Sequence, residues 1–140
     1  MSARYFLDTN IFVYSLDATV PAKARRAATL IRDGLETGSG IVSYQVVQEF
    51  FNVAFRRFAQ PLSAFAAEEY LNTTFRPLLV VHSSPALFVS ALRIYAQYHF
   101  SWYDSSIVAA AQEARCSILY SEDLQHGQRV DDLRIENPFR

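Results

Sequence analysis

Apolar residues along this chain follow two alternating rhythms, short unbroken runs and longer stretches with helical spacing. The runs are Tyr5–Leu7, Ile41–Val42, Leu78–Val81, Ile118–Tyr120 and, more weakly, Leu133–Ile135. Each is aliphatic or aromatic and bounded by polar or turn residues, as buried parallel strands are. The stretches Ala22–Leu35, Tyr44–Phe58, Pro61–Phe75, Pro85–Tyr98 and Trp102–Ala114 are expected as helices, with another beginning near Asn10. Within Tyr44–Phe58, the residues Val47, Phe50, Phe51, Ala54, Phe55 and Phe58 recur at spacings that fit one helical face. Gly34 or Gly38 stops the first long helix, Ser84-Pro85 opens a later one, and Arg76-Pro77 ends the helix before it. Alternating β and α segments predict a mainly parallel sheet with helices on both faces. The whole chain, 1–140, reads as a single domain, with no repeat or low-complexity segment.

Composition adds a ready core and removes several functional classes. Of the 140 residues, 51% are hydrophobic, and the 11 Phe and 8 Tyr supply large core side chains. The net charge is −1, so no global cationic field advertises a polyanion partner. Lys23 is the only lysine; the other basic residues are arginines, whose planar fork suits phosphate and carboxylate alike. The single cysteine, Cys116, excludes an internal disulfide and a cysteine-based zinc site. No apolar run approaches the ~20 residues a bilayer span needs, and an acid interrupts the N-terminal segment before a signal sequence can develop. A cytoplasmic protein without membrane contact is expected.

In open parallel sheets, ligands bind beyond the carboxyl ends of the strands, so the polar residues just after each run matter most. Asp8 follows Tyr5–Leu7 directly, and Asp123 lies just beyond Ile118–Tyr120. Glu49 sits in the first two turns of the third predicted helix, on a polar line with Gln45, Gln48 and Asn52. Asp104 falls in the first turn of the helix that opens at Trp102. Taken singly, each has a plain structural role open to it: Asp8 as a helix cap, Asp104 in a capping box, Glu49 on a solvated face, Asp123 in a loop. Taken together they would repel, since two carboxylates about 4 Å apart cost roughly 4 kcal/mol at an effective dielectric near 20. A hard divalent cation with oxygen ligands removes that conflict.

The segments Tyr5-Phe6-Leu7-Asp8-Thr9-Asn10, Gln48-Glu49-Phe50, Trp102-Tyr103-Asp104-Ser105 and Leu119-Tyr120-Ser121-Glu122-Asp123-Leu124 together resemble the PIN-domain family, and more narrowly the VapC ribonuclease toxins of bacterial toxin–antitoxin pairs. The likeness runs from Tyr5 to Asn137-Pro138-Phe139, with all four acids in order. It implies a three-layer α/β/α sandwich and a Mg²⁺- or Mn²⁺-dependent endoribonuclease that hydrolyses RNA with metal-activated water. By matching position, Asp8, Glu49, Asp104 and Asp123 inherit the catalytic and metal-binding role. Thr9, Asn10 and Ser121 are expected to orient those carboxylates, and Glu122 is assigned to the rim. The resemblance also implies a homodimer and an antitoxin protein partner. Lys23, Arg25, Arg26, Arg56 and Arg57 are the densest basic spots for RNA contact, and Tyr14, Tyr103 and Trp102 are candidates for base stacking.

Three rival readings can be compared. A phosphoacceptor receiver domain needs a lysine after a late strand, where this chain has none. A structure-selective DNA nuclease shares the acid layout but usually has a longer chain. A non-catalytic RNA- or protein-interaction module would cleave nothing with any metal.

Overall fold

The computed structural model describes residues 3–140, so the first two residues of the expected domain lie outside it. At the centre of the sheet is β1 (Tyr5–Leu7), with β2 (Gly40–Ser43) and β4 (Ile118–Tyr120) parallel on either side. Outside β2 runs β3 (Leu79–Val81), also parallel, and outside β4 runs parallel β6 (Leu133–Glu136). A two-residue strand, β5 (Arg129–Val130), closes that edge antiparallel to β6. The resulting order is β3-β2-β1-β4-β6-β5. β5 is absent from the sequence-based reading because two residues carry no detectable period.

The helices are α1 (Thr9–Ser15), α2 (Pro21–Thr37), α3 (Tyr44–Arg56), α4 (Ala64–Tyr70), α5 (Arg76–Leu78), α6 (Pro85–Tyr98) and α7 (Trp102–Glu113). Packing of α1 on α2 and α3 forms one helical layer, and the α6–α7 pair forms the other. The sheet between them makes the expected three-layer α/β/α fold. Its central strands bury Phe6, Leu7, Val42 and Leu119 completely, and Phe12, Phe50 and Phe75 interlock beside them. Among the described residues, no helix is long and apolar enough to cross a membrane.

Several helix limits differ from the sequence pattern, each for a local reason. α2 runs through Gly34 and stops at Gly38, whose left-handed backbone (φ 73°) supplies the C-terminal turn. Gly34 instead faces Gly40 of β2: a Cβ on either would meet the other's Cα at about 3 Å. α4 begins at Ala64 and not Pro61, because the Ser63 hydroxyl accepts the Ala66 N–H at 3.1 Å. Arg76-Pro77 does not end that helical segment. A widened π turn over Leu71–Phe75 leads into α5, where Pro77 takes an early position that needs no N–H donor. On α3, Phe50 and Ala54 are buried, but Phe55 is exposed and stacks on Phe51 at 5.8 Å. The buried face is narrower than the apolar spacing suggests.

Candidate active site

Register brings the first two acids together. Leu7 pairs with Tyr120, so the next residues, Asp8 and Ser121, leave the sheet side by side. The Asp8 N–H extends the ladder by donating to the Tyr120 carbonyl at 3.2 Å. Its carboxylate then does two things at once. Oδ1 caps α1 by accepting the Thr9 N–H at 2.7 Å, and Oδ2 accepts the Ser121 hydroxyl at 2.9 Å. The capping role and the clustered role open to Asp8 in the sequence are therefore compatible.

Glu49 enters from α3, placed by the Ser43 cap that starts this helix right after β2. The Thr9 hydroxyl donates to its Oε2 at 2.7 Å, and the Gln45 amide donates to its Oε1 at 2.9 Å. That same amide reaches the Tyr103 carbonyl at 3.3 Å, linking α3 to α7. The Asn10 amide donates to Asp123 Oδ2 at 3.2 Å, and the Asp123 N–H donates to Ser121 Oγ at 3.3 Å. Asp104 gives its N–H to the Ser101 cap at 3.1 Å, while its carboxylate has no hydrogen-bond partner among the described residues. The side chains of Thr9, Asn10 and Ser121 thus each hold one acid carboxylate, and the Thr9 N–H holds a second. Gln45 does so too and was missed as a holder, although its place one turn before Glu49 was a usable signal.

Asp8, Glu49, Asp104 and Asp123 line one cavity of about 290 Å³, and Arg57 is the cation in its wall. Burial drives the Asp8 carboxyl up from its usual 3.8 to about 7; the Thr9 and Ser121 bonds pull the other way, and the nearby charges of Glu49 and Asp123 add to the rise. Asp123 is also raised, by partial burial and then by Asp104 and Glu122. Among the described residues, no three acidic, His or Cys side chains converge into a ready-made metal cage. The acids line the cavity as an all-oxygen donor set. Such a donor set fits Mg²⁺ or Mn²⁺, which keep several waters and use few carboxylates directly.

The remaining candidates lie elsewhere. Lys23 pairs with Glu122 at 2.6 Å and lies 4.5 Å from the centre of the Tyr14 ring, with Phe139 beyond. Tyr14 also donates to Glu122 and meets Phe139 edge-on, so its ring is already engaged. Partial burial opposes ionisation of Glu122, but these two donors outweigh it and hold its pKa below the usual range. Glu122 therefore belongs to a packed latch beside the acid cavity. Arg26 donates to the Pro138 carbonyl at 3.3 Å, and Arg25 and Arg56 are exposed away from the cavity. Trp102 packs between Phe88 and Tyr95, and Tyr103, 66% exposed, borders the acids. His126 accepts the Asn137 N–H at 3.0 Å, a loop role.

A second, larger groove of about 500 Å³ adjoins the acid cavity, and Glu49, Asn52 and Tyr103 form part of both.

This parallel α/β/α sheet, with acids gathered beyond the ends of its central strands, defines a class of fold that comparison resolves further. The family model for the PIN domain matches residues 5–132, and the chain belongs to that family. No curated protein sequence matches it. Among solved structures it is similar to VapC20 of Mycobacterium tuberculosis, described as a sarcin-ricin loop cleaving toxin, with 17% identity and a TM-score of 0.63 over 93% of this chain and 98% of that one. FitAcB from Neisseria gonorrhoeae gives 18% identity and a TM-score of 0.60 over 96% and 98% of the two chains. FitAB bound to an IR36 DNA fragment gives 17% and 0.67 over 97% and 96%. These likenesses establish a shared fold.

Proposed function

We propose that the protein is a Mg²⁺- or Mn²⁺-dependent endoribonuclease acting as the toxin of a toxin–antitoxin pair. One observation carries the reading: Asp8, a nearly buried carboxyl at the end of a central strand, shares one cavity with three further acids. Asp8, Glu49, Asp104 and Asp123 would hold the cation. Bound there, it would supply positive charge for the phosphodiester and lower the pKa of a coordinated water. Ser121 and the Thr9 N–H fix the Asp8 carboxylate, Thr9 and Gln45 fix Glu49, and Asn10 fixes Asp123. Arg57 offers a guanidinium to a substrate phosphate at the cavity wall.

The toxin reading rests on family membership and on the named neighbours. An antitoxin that presents a basic side chain would complement the acid cavity, and a toxin acting on cellular RNA would work in the cytoplasm. A second copy would find an apolar face on α6 at Val89, Leu92 and Tyr95, all about half exposed. The deciding experiment incubates purified protein with total cellular RNA in Mg²⁺, Mn²⁺ or EDTA and maps the ends. Cleavage is expected with either metal, absent in EDTA, and reduced at least ~100-fold in Asp8→Asn, in line with the loss of a metal ligand. RNA left intact under every metal condition would return the chain to the non-catalytic reading.

A further inference from the structure

The groove beside the acid cavity has a chemistry of its own. Its lining includes no Lys or Arg, so it is no track for phosphates. Its floor is apolar, with Val81, Leu87 and Ala91, and its walls carry Phe88, Trp102 and the exposed ring of Tyr103. Along one side run the solvent-exposed amides of Gln48 and Asn52. Flat apolar walls with exposed amides match an uncharged planar group that has both a face to stack and an edge to read.

Position identifies the occupant. Because Glu49, Asn52 and Tyr103 belong to both hollows, a strand whose phosphate lies among the acids can turn its adjoining base into the groove. We infer that this groove receives one unpaired nucleobase flanking the scissile phosphate, stacked against Tyr103 and read by Gln48 and Asn52. The inference rests on the nuclease reading and narrows it to single-stranded or looped RNA, since a base held in a duplex has no face to offer.

The test uses short single-stranded oligoribonucleotides around one mapped cut, with each of the four bases, or an abasic residue, at the nucleotide on either side. Wild-type protein in Mn²⁺ is expected to discriminate among bases at one of those positions by about tenfold or more in kcat/KM. Gln48→Ala, at a side chain that borders the groove but not the acid cavity, should narrow that spread to within about twofold. A second readout needs no catalysis. Trp102, the only tryptophan, should change fluorescence when Asp8→Asn protein binds the preferred oligonucleotide and remain unchanged with its abasic counterpart. An unaltered base preference in Gln48→Ala, equal Trp102 responses to intact and abasic strands, or no response to either overturns the inference. A groove that serves a partner polypeptide would give that pattern. Failure of the nuclease reading shows separately as uncut RNA, and single-stranded homo-oligoribonucleotides of each base, set against their abasic counterparts, then carry the fluorescence comparison.

Discussion

Asp8 holds a proton more tightly in the folded chain than in the unfolded one, and that has a direct thermodynamic consequence. Its carboxyl titrates near 7 when folded and near 3.8 when free. Between those values unfolding releases a proton, so this group's contribution to stability declines as pH rises and is least favourable above about 7. The full effect is on the order of 4 kcal/mol. In EDTA, melting temperatures at pH 5 and pH 8 should differ in that direction by at least about 5 °C. Asp8→Asn keeps an oxygen acceptor for the Thr9 N–H and should flatten the difference while raising stability at pH 8. Equal slopes for the two proteins would show that Asp8 carries no such strain. The chemistry-bearing residues were largely legible in the sequence, because a carboxylate directly after an apolar run is a local pattern. The engagement of Lys23 was not: its partner Glu122 lies 99 residues away and is fixed by packing, which short-range spacing does not report.

Where two elements touch backbone to backbone, side-chain size decides stability. α2 lies against β2 through Gly34 and Gly40, and a methyl on Gly40 would stand 2.9 Å from the Gly34 Cα. The Leu78 side chain, 3.2 Å away, can give a little, but the Gly34 backbone cannot swing aside. Gly40→Ala should therefore destabilise the protein by about 1–3 kcal/mol in denaturant melts, and a loss below about 0.5 kcal/mol would mean that α2 can shift freely. Since β2 leads directly into α3, the same change should also weaken cleavage by displacing Glu49. Element types were mostly readable because period and caps are encoded in neighbouring residues. Limits were less so. Ser63, Gly38 and the widened turn before Pro77 decide where helices start, stop or continue, and each depends on which hydrogen bond wins locally.

Across the whole molecule, the acid cavity concentrates negative charge in a chain whose net charge is only −1. Cation binding should consequently appear as global stabilisation. A ligand at 100 times its Kd adds about 2.7 kcal/mol, so saturating Mn²⁺ should raise the melting temperature of wild-type protein at pH 7.5 by several degrees. The gain should fall by more than half in Asp8→Asn, and an equal gain in both would locate the ion elsewhere. The sheet has another consequence at this scale. One edge is the three-residue β3 and the other the two-residue β5. Neither offers enough free backbone to template strand addition, the usual first step toward fibrous aggregates. Concentrated solutions should accordingly fail by reversible, side-chain-mediated clustering that salt and mild detergent disperse, without acquiring cross-β order.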